Sequence, residues 1–587
     1  MSEGQRKIGV YICHCGGNIS DHVDVENVRA EVEKEVGVTV TKTSIFTCSD
    51  ASQQDIIRDI QEQQLDGLVV ASCSPKLHLM TFRAAAQRAG LNPFQYVQVN
   101  IREQCSWAHS DDDAGATRKA IGLVRGGIEK VRRQEALTPI RVTSVKRVLI
   151  IGAGIAGLRA ALAMADLGVE VFIIEKEAAA GGMVGRLGNM YPSGKAGGEI
   201  IASLLREVRT RSAITLFCGA ELIEKTGHIG DFELKIKVTT AVAGGRTQED
   251  TIPLNVGAVI VATGFENYGP RPDEYGWGRD DVITLPEFER LIRQDGERLL
   301  HNGREILRVA FIYCVGSRQA GPSETDNHYC SRYCCTAAVH TSLSAQNQFT
   351  GLRAFHLYRD IRTYGKFELV YEEAAKAGAV FLRFSETDPP RVGAGGDGLH
   401  VSVRDLLTAG EEIEIGVDLV VLVTGMVARR NDELTKILKL PRGADRFYNE
   451  IHAKLRPVET VIDGAYIAGS CQGPKNAGES SAAALSAVAK AASLLVKGYV
   501  DLQPFVAYIM GDRCRWCGEC EKACPYSAID KIAYGDKEIA RVTDALCKGC
   551  GGCLPVCPLD ASQLKGYTDE QMESMIDAFV REASDAR

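Results

Sequence analysis

Short apolar runs separated by longer segments of helical period recur along most of the chain. In the first stretch, runs at 8–12, 44–46, 67–71 and 95–101 alternate with amphipathic segments near 25–35, 52–63, 79–89 and 114–133. Strand and helix patterns that alternate in this way predict a parallel sheet with crossover helices. Residues 135–145, EALTPIRVTSV, read as a short linker. After it comes 148–151, apolar throughout like a strand buried on both faces, then at once a helix rich in Ala and Leu. A second buried strand, 169–174, ends in Glu175. Further apolar runs at 259–261, 309–313 and 419–424, with helices near 199–210 and 480–495, continue the pattern. The tail, 569–583, has the period of an amphipathic helix. The expected fold class is α/β and multidomain.

Composition narrows the picture. At 587 residues the chain exceeds what one core organises, so several domains are expected. With 45% hydrophobic and 25% charged residues it reads as soluble and globular. A net charge of −8 speaks against a nucleic-acid surface. No apolar run is long enough to cross a bilayer. The opening residues MSEGQRK lead straight into a strand pattern, so no signal peptide is expected. The 19 cysteines therefore call for an explanation other than secreted disulfides, and the expected location is a reducing cytoplasm.

The strand at 148–151 breaks into Gly152, Gly154 and Gly157, with Glu175 and Lys176 at the end of the next strand. Such glycines permit a tight turn, approach of backbone to a pyrophosphate and close helix–strand packing, while the acid accepts from a ribose. Three later segments join this set: Gly181-Gly182, the run VIVATG ending in Ala262, Thr263 and Gly264, and its near repeat LVVLVTG ending in Gly425. DGAYIAG, ending in Gly469, completes it. In order and spacing, over roughly 146–495, these segments resemble flavoproteins of the thioredoxin-reductase type. The resemblance implies FAD bound by these residues, with NAD at this first site as the alternative.

The cysteines fall into three groups. In the first domain Cys13, Cys15, Cys48, Cys73 and Cys105 stand at strand ends, where ligands of open α/β sheets bind. Converging thiolates there suit a [4Fe–4S] cluster, and small buried residues are the alternative. With five candidates for four positions, Cys15, Cys48, Cys73 and Cys105 are the expected ligands and Cys13 the spare. In the middle, the strand at 309–313 lacks the glycine turn of a second nucleotide domain and runs into Cys314, followed by Cys330, Cys334 and Cys335. A cluster fits this arrangement, and a redox disulfide is the alternative. Near the end, Cys514, Cys517, Cys520 and Cys524-Pro525 are repeated by Cys547, Cys550, Cys553 and Cys557-Pro558. This is the two-cluster ferredoxin spacing, in which the fourth Cys of each run serves the other cluster. Paired zinc sites would not need that crossing.

The strings YICHCGGNI, CSDASQQDI, VVASCSPKLH and NIREQCSWAH resemble the N-terminal domain of the heterodisulfide reductase A subunit, an iron–sulfur flavoprotein of methanogens and other anaerobes. The resemblance extends through essentially the whole chain. It implies a parallel α/β iron–sulfur domain at 1–140 and a thioredoxin-reductase-like FAD body at 145–500 with a cluster at its four cysteines. A two-cluster ferredoxin-like domain would follow at 505–565 and a helix at 566–587, packed on the body or a partner. The string YRDIRTYG at 358–365 would line the flavin pocket. Two departures bear on whether the flavin bifurcates electrons. His340 stands where the family has a lysine near the flavin, or is an ordinary helix-surface histidine, and no ferredoxin-like insert follows 182–192. The implied function is electron distribution by FAD and about four clusters within a heterodisulfide-reductase-type complex. Implied partners are proteins like the B and C subunits, a hydrogenase-, formate- or NADH-linked donor, and ferredoxin, with the chain as a homodimer. The alternative is an NAD(P)H-dependent enzyme resembling the small subunit of glutamate synthase.

Overall fold

The computed structural model describes residues 6–242, 246–395 and 398–585, so 1–5 of the N-terminal stretch and 586–587 of the expected tail lie outside the described residues. The chain forms two compact units, one of Met1–Arg141 with Asp501–Arg587 and one of Val142–Val500.

The first unit contains a parallel sheet in the order Val38–Ser44, Ile8–Cys13, Gly67–Ser72, Tyr96–Asn100. The two central strands are buried throughout. Val38–Ser44 alternates Val with Thr and is only half-buried, as an edge strand permits. Of the expected strand at 44–46 only Ser44 is strand, at the end of Val38–Ser44, and Ile45 and Phe46 lie exposed in the turn that follows, because the polar Thr residues hid the strand that precedes them. Serine caps follow two cysteines directly: Ser49 accepts from the Ser52 N–H, and Ser74 from the Lys76 N–H ahead of Pro75. Cys48 and Cys73 are thereby held at turns into helices. The tail helix Asp569–Asp585 packs on Asp113–Arg132, the long helix of the N-terminal sheet. Gln571, Ser574 and Ala578 form its buried face, and Gln571 donates to the Arg133 carbonyl at 3.0 Å.

The second unit holds two five-stranded parallel sheets. One runs Ala465–Ile467, Ala258–Val261, Arg147–Ile151, Glu170–Glu175, Ile214–Cys218. The other runs Val282–Thr284, Leu419–Thr424, Arg308–Val315, Arg353–Tyr358, Val380–Arg383. Two three-stranded antiparallel sheets accompany them. Leu419–Thr424 thus belongs to the second sheet, although its sequence repeats the apolar pattern of Ala258–Val261 in the first. No helix among the described residues is long and apolar enough to cross a membrane.

Candidate flavin pocket and cysteine centres

The strand Arg147–Ile151 stops at Gly152, whose φ is +107°. A Cβ there would lie 2.4 Å from the Ala262 carbonyl oxygen, so only glycine lets the two strand ends meet. Gly154 caps the helix Ile155–Asp166, and a Cβ on it would meet only the Gly182 Cα, at 3.8 Å. Above this bare backbone opens a cavity of about 960 Å³. Gly152, Gly154, Glu175, Lys176 and Gly182 line it, as do Ala262, Thr263 and Gly264. The volume lies at the top of the range for cofactor sites. Glu175 is buried and accepts from the Ala153 N–H at 2.7 Å and the Glu177 N–H at 3.1 Å, leaving lone pairs for a ribose hydroxyl. The Thr263 hydroxyl is buried without a protein partner, which a bound cofactor would supply. Lys176 is paired with Glu221 at 2.8 Å. These features fit FAD.

Three expected cofactor residues do not line the cavity. A Cβ on Gly157 would sit 1.9 Å from the Gly152 carbonyl oxygen, so this glycine serves helix–strand packing. Gly469 is pressed against Ala156, at 2.8 Å from an added Cβ. Gly425 closes on the cysteine loops instead, its missing Cβ facing Ser317 Oγ and Ser331 Oγ at 2.2 and 2.7 Å. Its displacement follows from Leu419–Thr424 lying in the other sheet. Of the string at 358–365, Tyr364 lines the cavity, while Arg359, Asp360 and Arg362 turn to the cysteines.

The far wall of the cavity comes from the helix Cys334–Gln348, which contributes Thr336, Ala337, His340 and Thr341. Burial holds the His340 imidazole below its ordinary range, so the ring is neutral at pH 7. The sequence pattern did not single out Glu289, whose carboxyl is raised by burial, or Lys475, whose ammonium is lowered by it. Both line the cavity, and Lys475 precedes the Asn476 cap of the helix Ala477–Leu495. A lone cation beside a helix N-cap was the signal available for Lys475.

Cys314 is the last residue but one of the strand Arg308–Val315, and Cys334 and Cys335 open the next helix. The four body cysteines interact with one another: Cys334 is raised first by its hydrogen bond with Cys335, then by burial and the charges of Cys335, Cys314 and Cys330. The same hydrogen bond holds Cys335 below its ordinary range. The Arg332 N–H donates to Cys330 Sγ at 3.3 Å. Cys314, Arg318 and Arg332 all take positive φ, at 62°, 56° and 62°. Non-glycine residues rarely accept this conformation, and its clustering marks a loop shaped for a site.

In the first unit, Cys48 and Cys73 each feel the charges of Cys13 and Cys15. Cys105 lies on the turn Arg102–Ser106, fully buried, with the charge of Lys119 near it. Cys13, the expected spare, thus stands within reach of Cys48 and Cys73, while Cys105, an expected ligand, lies in the core after the strand Tyr96–Asn100. Burial pushes the Cys73 and Cys105 thiols up to about 11, so deprotonation at Cys73 would come with metal binding. Near the C-terminus, Cys514, Cys517 and Cys520 share a small cavity with Cys557, and Cys553 feels Cys547 and Cys524. The structure thus brings the first crossed set together, and three members of the second, Cys547, Cys553 and Cys524. Backbone N–H groups of Ala507, Ala528, Ala540 and Ala561 donate to Cys547, Cys524, Cys514 and Cys557 at 3.2 to 3.4 Å. Among the described residues no three His, Cys, Asp or Glu side chains gather around a point for a single ion. Cubane ligands stand farther apart than the ~3.8 Å that a Zn–S bond of about 2.3 Å imposes.

Residues 507–564 match the family described as a 4Fe-4S dicluster domain, and 146–313 the pyridine nucleotide-disulphide oxidoreductase family. The second of two iron-sulfur A subunits of the CoB–CoM heterodisulfide reductase of Methanopyrus kandleri is 36% identical, covering 91% of this chain and 92% of that protein. The A subunit of the H(2):CoB-CoM heterodisulfide,ferredoxin reductase of Methanothermobacter thermautotrophicus is 36% identical over 89% of this chain and 90% of its own. Among solved structures, T. acidophilum thioredoxin reductase aligns with 59% of this chain and 98% of its own at 16% identity and a TM-score of 0.40. The protein is an oxidoreductase with a FAD-binding α/β body and a C-terminal dicluster domain.

Proposed function

Since the chain belongs to the family of heterodisulfide reductase A subunits, we propose that it is the electron-distributing component of a heterodisulfide-reductase-type complex. One observation carries this reading. Where a nicotinamide domain needs a glycine turn, Cys314, Cys330, Cys334 and Cys335 converge, and the helix they open forms a wall of the flavin cavity. At 1.5 Å per residue, Cys335 and His340 are about 8 Å apart along that helix, well within electron-transfer reach.

FAD supplies exchange between two-electron and one-electron chemistry, and each cluster carries one electron. The residues hold and orient these groups. Gly152, Gly154 and Gly182 bare backbone for the pyrophosphate, Glu175 and Thr263 take the nucleotide's hydroxyls, and Lys475 offers the cavity a positive charge. We assign about four clusters: one at Cys13, Cys15, Cys48 and Cys73, one at the body cysteines, and two at the crossed C-terminal sets. The domain limits of 1–140, 145–500, 505–565 and 566–587 are part of the proposal. So are a cytoplasmic location, a homodimer within a larger complex, and partners resembling the B and C subunits, ferredoxin and a hydrogenase-, formate- or NADH-linked donor. The disulfide chemistry belongs to those partners. A neutral His340 offers the flavin no fixed cation, which weighs against bifurcation at this centre.

Anaerobically purified protein is expected to contain FAD and iron, with flavin that NADH alone does not bleach in stopped-flow mixing. Rapid bleaching by NADH, with iron unchanged in Cys334→Ser, would replace the relay with a nicotinamide enzyme.

A further inference from the structure

Around the body cysteines the charge is strongly one-sided. Arg359 lies within hydrogen-bonding reach of Cys314, Arg318 adds its charge there, and Arg362 reaches Cys335 through its backbone and its charge. The guanidinia are held in place from behind. Asp360 takes Arg318 at 2.8 Å, Arg383 at 3.2 Å and Arg362 at 3.8 Å. Arg359 pairs with Glu386 at 2.9 Å and donates to the Arg318 carbonyl at 2.7 Å. Its side chain is only 10% exposed. Two donors remain over: Arg359 Nε and Arg318 Nη1 are buried with no acceptor in the protein. Buried donors of this kind are rarely left unmade, and the acceptors they lack are of the kind a cluster's sulfurs provide. The other centres have fewer such groups. The N-terminal set has one arginine, Arg102, whose Nη1 reaches Cys15 Sγ at 3.4 Å and whose Nε is likewise buried without an acceptor, and the C-terminal sets take backbone N–H groups.

We propose that Arg318, Arg359 and Arg362 form a cationic cage that raises the reduction potential of a cluster held by Cys314, Cys330, Cys334 and Cys335, making it the electron sink beside the flavin cavity. This rests on the reading of those cysteines as a cluster site. One-electron reduction, with reduced FAD as the source, adds a negative charge to a centre already negative from its thiolates and brings no proton to offset it. Burial of Cys334 and Cys335 opposes that added charge, and the fixed guanidinia favour it. Charge and hydrogen bonds at the sulfurs are established levers on cluster potentials.

The test is a potentiometric titration of the anaerobic holoprotein followed by electron paramagnetic resonance. The signal absent from Cys334→Ser identifies the centre. Arg359→Leu should keep its iron and lower the midpoint of that signal, cutting the reduced fraction at fixed potential about tenfold, a shift of ~59 mV for one electron. Arg359→Lys, which keeps the charge, should recover part of the shift. An unchanged midpoint in Arg359→Leu with full iron overturns the cage. If Arg359→Leu loses the cluster, Arg318→Leu carries the same measurement, and loss of iron in both would give the arginines an assembly role and overturn the proposal. Equal iron and identical spectra in wild type and Cys334→Ser would instead sink the underlying cluster reading.

Discussion

At the scale of single residues, neighbours separate positions that one motif treats alike. Gly154 and Gly157 belong to the same glycine string, yet only Gly154 borders the cavity. Gly154→Val should give folded protein with native circular dichroism and little or no flavin absorbance, since its side chain would occupy the pyrophosphate's approach. Gly157→Ala should instead destabilise the body by about 1–3 kcal/mol, because its Cβ would overlap the Gly152 carbonyl oxygen. Thermal unfolding with flavin release as the probe distinguishes the two. The N-terminal cysteines divide in the same way. Cys13→Ser should lower the iron content by one cluster, and Cys105→Ser should leave it intact. The reverse result would restore Cys105 as the ligand. The glycines and cysteines were legible as candidates from spacing. Which of them face a ligand was not, because a side chain's direction at a strand end depends on the turn that follows.

At the scale of elements, the helix Asp113–Arg132 carries a buried cation. Lys130 is 6% exposed and burial lowers its ammonium to about 8, while its Nζ lies 3.3 Å from the centroid of the Tyr567 ring. The ring returns about 0.5–2 kcal/mol, less than the roughly 3 kcal/mol implied by a depression of that size. The unfolded chain binds this proton up to about pH 10.4 and the folded one only to about 8, so stability rises with pH across that window. Lys130→Met should therefore raise the apparent unfolding midpoint at pH 7, by about 1–3 kcal/mol in stability, with the gain shrinking towards pH 10. A gain that is constant with pH would mean that packing, not charge, is responsible. Elements with strong periodicity, such as this helix and the buried central strands, were legible in the sequence. The polar edge strand Val38–Ser44 was not, because half-burial leaves Thr at three of its seven positions.

At the scale of the molecule, the first unit is assembled from both ends of the chain. Phe94 and Phe505 meet edge to face at 5.6 Å with Arg83 over both rings, and Arg141 pairs with Asp501 at 2.7 Å. Joining Arg141 directly to Asp501, with 142–500 deleted, should give a folded protein that binds iron but no flavin. Residues 1–141 alone should lose solubility, since their buried contacts with 501–587 would face water. Iron and flavin analysis with size-exclusion chromatography decides the matter, and a stable isolated 1–141 would count against the shared unit.

By itself the sequence determined what depends on short separations: the apolar strands, the glycine string leading to Glu175, the cysteine spacings and the crossed ferredoxin pattern. Only the tertiary structure decided what depends on residues far apart in the chain. It assigned Leu419–Thr424 to the second sheet, laid the tail helix on Asp113–Arg132, brought Cys13 within reach of Cys48 and Cys73, and gathered arginines around Cys314. The physical reason is that a run such as LVVLVT satisfies the core of either sheet equally well. The choice lies in strand pairing and packing, which no local pattern encodes.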